Sequence, residues 1–455
     1  MRGVFVAALL AALVPWTPAR AQAPSGVVAY EGARLIPGDG SPAIERAVLL
    51  VEGSRIRQVG PVGKVSVPTG ATRVDLSGKT LVPAFLNAHT HPAFQKGASY
   101  SRENYTREQY IQDLERSLWF GVAAVLSQGI DPGDIASAIQ ADQRAGRVGG
   151  ARLLYAGRGI GSPNAGPGAL AYKGIAYELN TPDEGRAAVR ELAARKVDIV
   201  KIWVDDRNGR APRLTEPTYR AIIDEAHAHQ LKVNAHVFYL ADLKGLVEAG
   251  IDGLAHLSRD LELDEAAVSA IVRRGVHVMP TLLTHERPTH TSVPPSMAAW
   301  LDGPAGRALG PALADRVKAT FGGRTAEAAA GARARYEILR RSVAKLAKAN
   351  AKLMLGSDTG IQDQPFGVSE HSELEAMVEA GATPMQALVA GTSVPAGYMG
   401  QRDMGTLAAG KTASFVVLDA NPLDDITNTR RIADVYMDGR RIDRQAMLAR
   451  LGPLP

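Results

Sequence analysis

The middle of the chain alternates short apolar runs with amphipathic stretches whose apolar positions recur at helical spacing, such as 184–196 and 216–230. This alternation is typical of βαβ units, in which successive strands are parallel. Eight apolar runs are candidate strands: 81–91, 122–126, 152–155, 198–203, 232–236, 253–256, 276–281 and 352–358. Eight such units predict an α/β fold with a TIM (β/α)8 barrel over residues 81–395.

Both ends of the chain show a different pattern, in which apolar runs are separated by Gly and Pro. These runs have no helical period and predict strands joined by turns. The runs are 27–30, 47–51, 56–59, 414–418 and 433–437. The simplest arrangement pairs residues 22–80 with residues 396–455 in one small β-sandwich domain that brackets the barrel.

The first residues have the pattern of an export signal. Arg2 supplies a positive charge, residues 4–14 are apolar, and residues 19–21 have small residues at the two positions that favour cleavage. We therefore expect residues 1–21 to be a cleaved signal peptide and the protein to be periplasmic or secreted. The apolar run is shorter than the roughly 20 residues of a bilayer span, and no later segment is long and apolar enough for one.

Composition excludes several classes of function. The chain has 455 residues, of which 45% are hydrophobic and 22% charged, as in ordinary globular proteins. Its formal net charge of +5 is small and dispersed, so we expect no nucleic-acid partner. The partner that we expect is a small-molecule substrate. The absence of cysteine excludes thiol nucleophiles, disulfides and cysteine-ligated zinc.

The first candidate barrel strand ends in a His-x-His pair, His89 and His91. Side chains alternate along a strand, so both imidazoles project from one face and can bind one ion. Later candidate strands also carry polar residues, and the carboxyl ends of barrel strands converge on one mouth. These residues are Lys201, His236, His256 and Asp358. Each alone could be a satisfied core residue, but together they predict a site for zinc, manganese or a related divalent ion.

These residues and their order resemble the ligand set of the binuclear amidohydrolase superfamily. Residues 404–411 also resemble the superfamily's return into its small β domain. The resemblance implies two divalent ions, with zinc the expected metal. It assigns one ion to the His-x-His pair with Asp358 and the other to His236 and His256. It further implies that carbon dioxide converts Lys201 to a carbamate that bridges both ions.

The resemblance also implies a reaction. In this superfamily the paired ions lower the pKa of a bridging water, and the resulting hydroxide attacks a polarised carbonyl. Asp358 would be the catalytic proton shuttle, accepting a proton from the nucleophile and delivering it to the leaving group. The implied chemistry is hydrolysis of an amide, cyclic amide or ester bond.

The residues around the ligands most resemble the imidazolonepropionase-like and prolidase-like branch, which includes Xaa-Pro dipeptidases. Imidazolonepropionase itself lacks the lysine, so Lys201 argues against that activity, and residues 236–239 lack the His-x-x-Glu pattern of the deaminases. Two features depart from the dipeptidases. Phe238 stands where relatives often have tyrosine, with Tyr239 one place later, and the glycine-rich loop 159–168 has no histidine.

Residues 284–351 form a connection between the seventh and eighth candidate strands that is far longer than usual. Its proline-rich start predicts a loop, and its remainder, rich in Ala and Arg, predicts helices. On the catalytic face it would form a lid or pocket wall. Elsewhere it would be a peripheral or oligomer-forming insertion, so a homo-oligomer is possible. His285, near its start, and Tyr239 are the candidate substrate-binding residues.

Three hypotheses for the function stay open. The first is a binuclear hydrolase that cleaves the amide or peptide bond of small dipeptide-like or N-acyl substrates. The second is a lactonase, carboxylesterase or organophosphate hydrolase with the same metal centre. The third is a barrel without catalysis that serves in binding or assembly. We disfavour the third hypothesis because all six candidate ligands are present.

Overall fold

The computed structural model describes residues 26–168 and 170–451. The predicted signal peptide, residues 1–21, lies outside the described residues. In the part of the chain that is described, no helix combines the length and the apolarity needed to cross a membrane.

The strands are short, and most of them are buried. In chain order they are β1 Val27–Glu31, β2 Arg34–Leu35, β3 Ala47–Glu52, β4 Arg55–Pro61, β5 Thr72–Asp75, β6 Thr80–Pro83, β7 Phe85–Thr90, β8 Gln95–Lys96, β9 Ser99–Tyr100, β10 Val122–Ser127, β11 Arg152–Tyr155, β12 Ile160–Gly161, β13 Tyr177–Glu178, β14 Ile199–Val204, β15 Lys232–Val237, β16 Gly253–Ala255, β17 His277–Met279, β18 Lys352–Leu353, β19 Phe415–Leu418, β20 Ile432–Met437 and β21 Arg440–Arg441.

The helices lie between these strands and after the last of them. They are α1 Arg107–Trp119, α2 Ile135–Arg144, α3 Pro182–Ala194, α4 Glu216–Ala228, α5 Leu240–Glu248, α6 Glu265–Arg274, α7 Leu282–Glu286, α8 Pro295–Asp302, α9 Pro304–Leu309, α10 Pro311–Ala319, α11 Ala326–Lys348, α12 Val368–Glu379, α13 Pro384–Gly391, α14 Ser393–Tyr398 and α15 Arg444–Leu451. Short 3₁₀ helices cover Arg102–Asn104, Leu170–Tyr172, Arg287–Thr289 and Ile426–Arg430.

Local signals explain where the predicted helices begin. The stretch predicted at 184–196 forms α3, which starts two residues earlier because Pro182 has the φ of a first helical turn and Thr181 caps it. The Thr181 hydroxyl accepts from the Glu184 amide, and the Glu184 carboxylate accepts from the Thr181 amide. This capping box provides acceptors for two backbone amides at the helix start, which would otherwise lack hydrogen-bond partners.

Two parallel sheets occupy the middle of the chain. In the smaller sheet, β10 lies between β7 and β11. The larger sheet has the order β13-β12-β14-β15-β16-β17-β18, with every neighbouring pair parallel. Helices separate most successive strands, as parallel crossover connections require. The predicted α/β class is therefore confirmed.

Backbone hydrogen bonds join the two parallel sheets at both edges. On one side, the Ala88 amide in β7 donates to the Leu355 carbonyl beyond β18 at 2.9 Å, and Thr90 forms a parallel bridge with Thr359. On the other side, the Asp198 amide just before β14 donates to the Tyr155 carbonyl in β11 at 2.9 Å. The strands of both sheets therefore run in one direction, with their carboxyl ends on the same side of the molecule.

The prediction of one strand over 81–91 is wrong, because the run contains two strands in different sheets. β6 pairs antiparallel with β19, whereas β7 pairs parallel with β10. Pro83 ends β6 and has no amide hydrogen to continue a ladder. The next two amides then donate to different neighbours, Ala84 to the Ser414 carbonyl and Phe85 to the Gly121 carbonyl. The chain changes sheets at this point.

The glycine-rich loop 159–168 contains one short strand, β12. It pairs with β13, farther along the chain, and links it to β14 in the larger sheet. Two-residue strands are too short to show a period in sequence. The eighth candidate strand is also shorter than predicted, since β18 covers only Lys352–Leu353.

The strands at the two chain ends form two further sheets. One has the order β4-β3-β1-β5, and the other, β2-β6-β19-β20-β21, combines strands from both ends of the chain. A single buried apolar cluster draws Tyr30 and Leu49 from the first sheet and Leu81, Phe415 and Tyr436 from the second. The Phe415 ring stacks on Tyr436 at 4.3 Å between centroids and meets the edge of Tyr30 at 5.2 Å.

The long insertion is helical and packs against the rest of the protein. Helices α8, α9 and α10 share a buried apolar cluster with residues near the end of α1 and with the C-terminal helix α15. Helix α11 contributes Tyr336, Leu339 and Val343 to the large central core. The proline-rich start, predicted to be a loop, contains a 3₁₀ turn before α8.

Phe415→Ala should destabilise the paired sheets at the chain ends. The change removes a fully buried aromatic ring, so we expect the free energy of unfolding to fall by about 3–5 kcal/mol. Urea unfolding followed by circular dichroism measures this. Val62→Ala, at an exposed position, is the control and should change the free energy by less than about 0.5 kcal/mol. Equal effects of the two changes would contradict the role given to the cluster.

Candidate metal centre

The six predicted ligands lie at the carboxyl side of the parallel strands. All six are buried, with exposed fractions from 1% for His89 to 9% for His236. Three lie within strands and three beyond strand ends: His89 in β7, Lys201 in β14, His236 in β15, His91 after β7, His256 after β16 and Asp358 after β18. Burying so many polar groups costs free energy unless they pair or bind a ligand.

The histidines surround the carboxylate of Asp358. Its Oδ1 atom lies 3.1 Å from Nε2 of His89 and 2.9 Å from Nε2 of His91. His89, His256 and Asp358 each offer a ligand atom, and these atoms lie within 4.8 Å of one another. The rings of His236 and His256 meet at 4.6 Å between centroids. The structure therefore brings the four histidines and the carboxylate together.

Lys201 belongs to the same cluster but has no hydrogen-bond partner. Among the described residues, nothing pairs with its Nζ, although the side chain is almost fully buried. Burial lowers the pKa of Lys201 to about 7, against the attraction of Asp358. Gly129 makes room for the lysine, since a Cβ there would lie 2.9 Å from the Lys201 Cβ. A buried amine that can lose its proton is suited to carry a carbamate.

The charge states of the donors fit divalent metal ions. Burial lowers the pKa of His236 to about 3, and it lowers those of His89 and His256 well below the ordinary value. These imidazoles are therefore neutral, as metal ligands must be. Burial opposes ionisation of Asp358, but its interaction with His89 and its hydrogen bond with His91 lower the pKa of this carboxyl below its ordinary value. Neutral imidazoles and a carboxylate are suitable ligands for zinc or manganese.

Two histidines are oriented by neighbouring side chains. In each, one ring nitrogen contacts the neighbour and the other is left for a metal ion. Nε2 of His236 lies 2.9 Å from Oδ2 of Asp205, which leaves Nδ1 free to bind a metal. Nδ1 of His256 contacts Oγ1 of Thr281, which leaves Nε2 free. Burial opposes ionisation of Asp205, but its hydrogen bond with His236 lowers the pKa of this carboxyl. Such partners fix the tautomer and the orientation of a metal-binding imidazole.

Three residues of the site have a left-handed backbone conformation, which residues with a Cβ atom rarely adopt. The φ angles are 78° for His256, 49° for Thr281 and 56° for Asp358, each beyond the end of a strand. Such conformations cost free energy and are concentrated at functional sites. Both carboxylate oxygens of buried Glu373 accept from the backbone, one from the Leu282 amide and one from the Leu283 amide, each at 2.8 Å. This pairing holds the turn that begins at Thr281.

A cavity of about 730 Å³ opens beside this cluster. His236, His256 and Asp358 form part of its wall on the strand side. The predicted insertion supplies the opposite wall, including Thr284, Tyr336 and Leu339. The volume is within the range of small-molecule sites, and charged and polar side chains line it together with apolar ones such as Phe238 and Leu339.

The two candidate substrate-binding residues have different positions. His285 lines the cavity, and its Nε2 lies 3.3 Å from Nη1 of Arg259. The hydroxyl of Tyr239 instead donates to Oδ1 of Asp206 at 2.9 Å, and it is Phe238 that lines the cavity. The structure therefore brings His285, but not Tyr239, to the cavity wall.

Sequence analysis missed Asp205, Thr281 and Arg259. Asp205 and Thr281 each lie one or two residues beyond a buried strand, β14 and β17, where the search for strand-end polar residues could have found them. Arg259 follows His256 by three residues, in a loop without a periodic pattern. Its position in the cavity depends on how that loop folds back, with the Arg259 amide donating to the Phe238 carbonyl.

Comparison with known families identifies the class of protein. The model of the amidohydrolase family matches residues 80–442, which is most of the chain and includes all six candidate ligands. The chain belongs to the amidohydrolase family, and the family predicted from sequence is therefore confirmed. Members of this family generally bind divalent metals, and the buried histidines and Asp358 form a candidate site for them.

Curated relatives match parts of the chain. An uncharacterized protein of Mycobacterium tuberculosis is 28% identical over 229 residues, which cover 49% of this chain and 56% of the relative. An imidazolonepropionase of Caulobacter vibrioides is 25% identical over 274 residues, which cover 53% of this chain and 67% of the relative. The match thus spans little more than half the length of the first of these relatives.

Solved structures match nearly the whole chain. A Xaa-Pro dipeptidase with bound methionine in its active site has a TM-score of 0.72 at 21% identity, covering 91% of this chain and 99% of that one. Phenylurea hydrolase B has a TM-score of 0.72 at 25% identity, covering 92% of this chain and 97% of that one. The dipeptidase structure shares the fold of this chain, and the imidazolonepropionase relative carries the name of the branch that the sequence resembles.

Asp205→Asn should weaken metal binding without unfolding the protein. The amide cannot replace the charged partner of the His236 ring, so we expect the affinity for zinc to fall about 10- to 100-fold. Competition with a zinc chelator measures this affinity. Asp206→Asn is the matched control, because the neighbouring carboxylate contacts Tyr239 rather than a candidate ligand. Unchanged zinc affinity in Asp205→Asn would remove Asp205 from the site.

Proposed function

We propose that the protein is a binuclear metal-dependent hydrolase that cleaves the amide or peptide bond of small dipeptide-like or N-acyl substrates. One observation carries the proposal. Four histidines, Asp358 and the unpartnered Lys201 lie together, buried at the carboxyl side of the strands and beside an open cavity. Family membership and the likeness to a Xaa-Pro dipeptidase and to phenylurea hydrolase B support a carbon–nitrogen bond as the target.

The proposal includes an architecture. We infer that the two parallel sheets form one closed (β/α)8 barrel, because backbone hydrogen bonds join them at both edges. We also infer that residues 22–80 and 396–455 form a composite β-sandwich domain, since their two sheets share one apolar cluster. The segment 284–351 would then be a wall over the barrel mouth that limits the size of the substrate.

We further propose how the ions are held. His89, His91 and Asp358 would bind one ion, and His236 and His256 would bind the other. Lys201, as a carbamate, would bridge them. This assignment is supported by the contacts of Asp358 with the first pair and by the free Nδ1 of His236. Zinc is the expected metal because imidazole and carboxylate ligands without thiolates suit it.

The chain's own residues define the rest of the mechanism. Divalent ions, when bound, polarise a carbonyl and lower the pKa of a water molecule. The ionised carboxylate of Asp358 accepts a proton from the attacking water molecule. It then donates a proton to the leaving nitrogen, which must be protonated to depart. Phe238, Tyr336 and Leu339 in the cavity wall exclude water from the apolar part of the substrate.

Export of the protein and its partners are also part of the proposal. We propose that residues 1–21 direct export to the periplasm or the medium and are then removed, on the evidence of their sequence alone. Homo-oligomer formation stays a prediction, as does the absence of a nucleic-acid partner.

Metal content and a substrate panel test the proposal together. Protein expressed with added bicarbonate should contain about two divalent ions per chain and should hydrolyse dipeptides or N-acyl amino acids. Elemental analysis and chromatography of the products measure these quantities. Removal of metal by a chelator should abolish turnover, and added zinc should restore it. Two ions with turnover of only lactones or aryl esters would replace the amide assignment, and no bound metal would contradict the proposal.

Lys201→Ala should lower bound metal and activity together, because it removes the carboxylated amine proposed to bridge the ions. We expect at most one ion per chain and a loss of turnover of about 100-fold or more. Short carboxylic acids, which imitate the carbamate, should restore part of both. Lys232→Ala is the control, since Lys232 is in β15 but bonds the Tyr398 carbonyl outside the cluster. Full metal content in Lys201→Ala would exclude the bridging role.

A further inference from the structure

Arg259 faces the cavity beside the candidate metal centre. It follows His256 by three residues and lines the same cavity as His256 and Asp358. Its Nη2 donates to the Val237 carbonyl at 3.3 Å, and its guanidinium carbon lies 4.8 Å from the centre of the Phe238 ring. A neutral carbonyl and an aromatic ring thus hold the side chain in place without a carboxylate from the described residues in contact with it.

No carboxylate pairs with Arg259 within 4 Å in the described ranges 26–168 and 170–451. The nearby carboxylates have other partners. Asp205 contacts His236 at 2.9 Å and Arg207 at 3.4 Å, and Asp358 contacts the His-x-His pair. A guanidinium in such surroundings stays charged and gains free energy from a counter-ion.

The contact with His285 orients the guanidinium but does not neutralise it. A guanidinium can only donate, so Nε2 of His285 must be the acceptor at 3.3 Å from Nη1. Burial and the charge of Arg259 lower the pKa of His285 to about 3, which keeps this imidazole neutral. His285 therefore acts as a positioning residue for Arg259.

The net charge of the side chains that line the cavity also favours an anionic substrate. Four arginines line the cavity, Arg207, Arg210, Arg259 and Arg335, against two carboxylates, Asp205 and Asp358. Of the other three, Arg207 pairs with Asp205, exposed Arg210 donates to the Arg207 carbonyl, and Arg335 projects from the exposed side of α11. Arg259 is the one that combines fixed neighbours with a place beside the ligand histidines. An anionic substrate would find its strongest partner there.

We propose that Arg259 binds a carboxylate group of the substrate and so restricts the enzyme to amides that carry a free carboxylate. A planar guanidinium matches a carboxylate with two parallel hydrogen bonds, which adds specificity as well as binding energy. The inference about turnover rests on the proposed hydrolase function. The inference about binding concerns only the cavity and can be tested without turnover.

A pair of ligands that differ in one group provides the binding test. N-methylsulfonyl-L-alanine has a free carboxylate and no acyl bond to cleave, and its carboxamide lacks the charge. Isothermal titration calorimetry with the metal-loaded protein should show at least about tenfold tighter binding of the carboxylate form. Equal binding of the two forms to the wild-type protein would overturn the proposal without use of any variant.

Variants assign the preference to one residue. Arg259→Met should remove the tenfold preference, with metal content unchanged, and Arg259→Lys should retain part of it because lysine is a point charge. Arg335→Met is the matched control, since it removes the same charge from the same cavity at an exposed position. A preference that persists in Arg259→Met, or that Arg335→Met removes equally, would contradict the role of Arg259.

Turnover separates this inference from the proposed function. If the protein hydrolyses N-acyl amino acids and their carboxamides at equal rates, the hydrolase proposal stands and the Arg259 proposal fails. If it hydrolyses no amide yet binds the carboxylate ligand through Arg259, the cavity inference stands and the hydrolase proposal fails. Arg259→Met should lower kcat/KM for the carboxylate substrate at least about tenfold and change that for the carboxamide far less.

Discussion

The parallel alignment of the central strands is the constraint on which the rest of the structure depends. Residues from position 89 to position 358 meet only because the strands that carry them run in one direction, with their carboxyl ends on one side. Hydrogen bonds between β7 and the segment after β18 bring the first and last ligands together. The register of these ladders therefore sets the geometry of the candidate metal centre.

The cost of this geometry is distributed over the neighbouring residues. His256, Thr281 and Asp358 have left-handed backbones, and Lys201 is buried without a hydrogen-bond partner among the residues that the structure describes. Other contacts offset these costs: Asp205 holds His236, and Glu373 holds the turn at Thr281. Metal ions and a carbamate would stabilise the cluster further, because they would pair the donors that converge there.

The cavity has two walls that come from different parts of the chain. The strand side supplies the candidate metal ligands His236 and Asp358. The insertion supplies much of the facing wall, and its helices are anchored on α1 and α15. Arg259 lies in a loop beside the strand side, where it adds a positive charge. The candidate metal ligands and much of the facing wall thus come from separate parts of the chain.

The sequence by itself determined the α/β class and the six candidate ligands, because strand periodicity and strand ends are local features that a single chain displays. It did not reveal that the run 81–91 changes sheets at Pro83, since the apolar residues continue without a break from Leu81 to Leu86. Nor did it reveal the partners Asp205 and Thr281 or the position of Arg259. Those depend on which side chains meet across separate strands and loops, and only the tertiary structure decides such contacts.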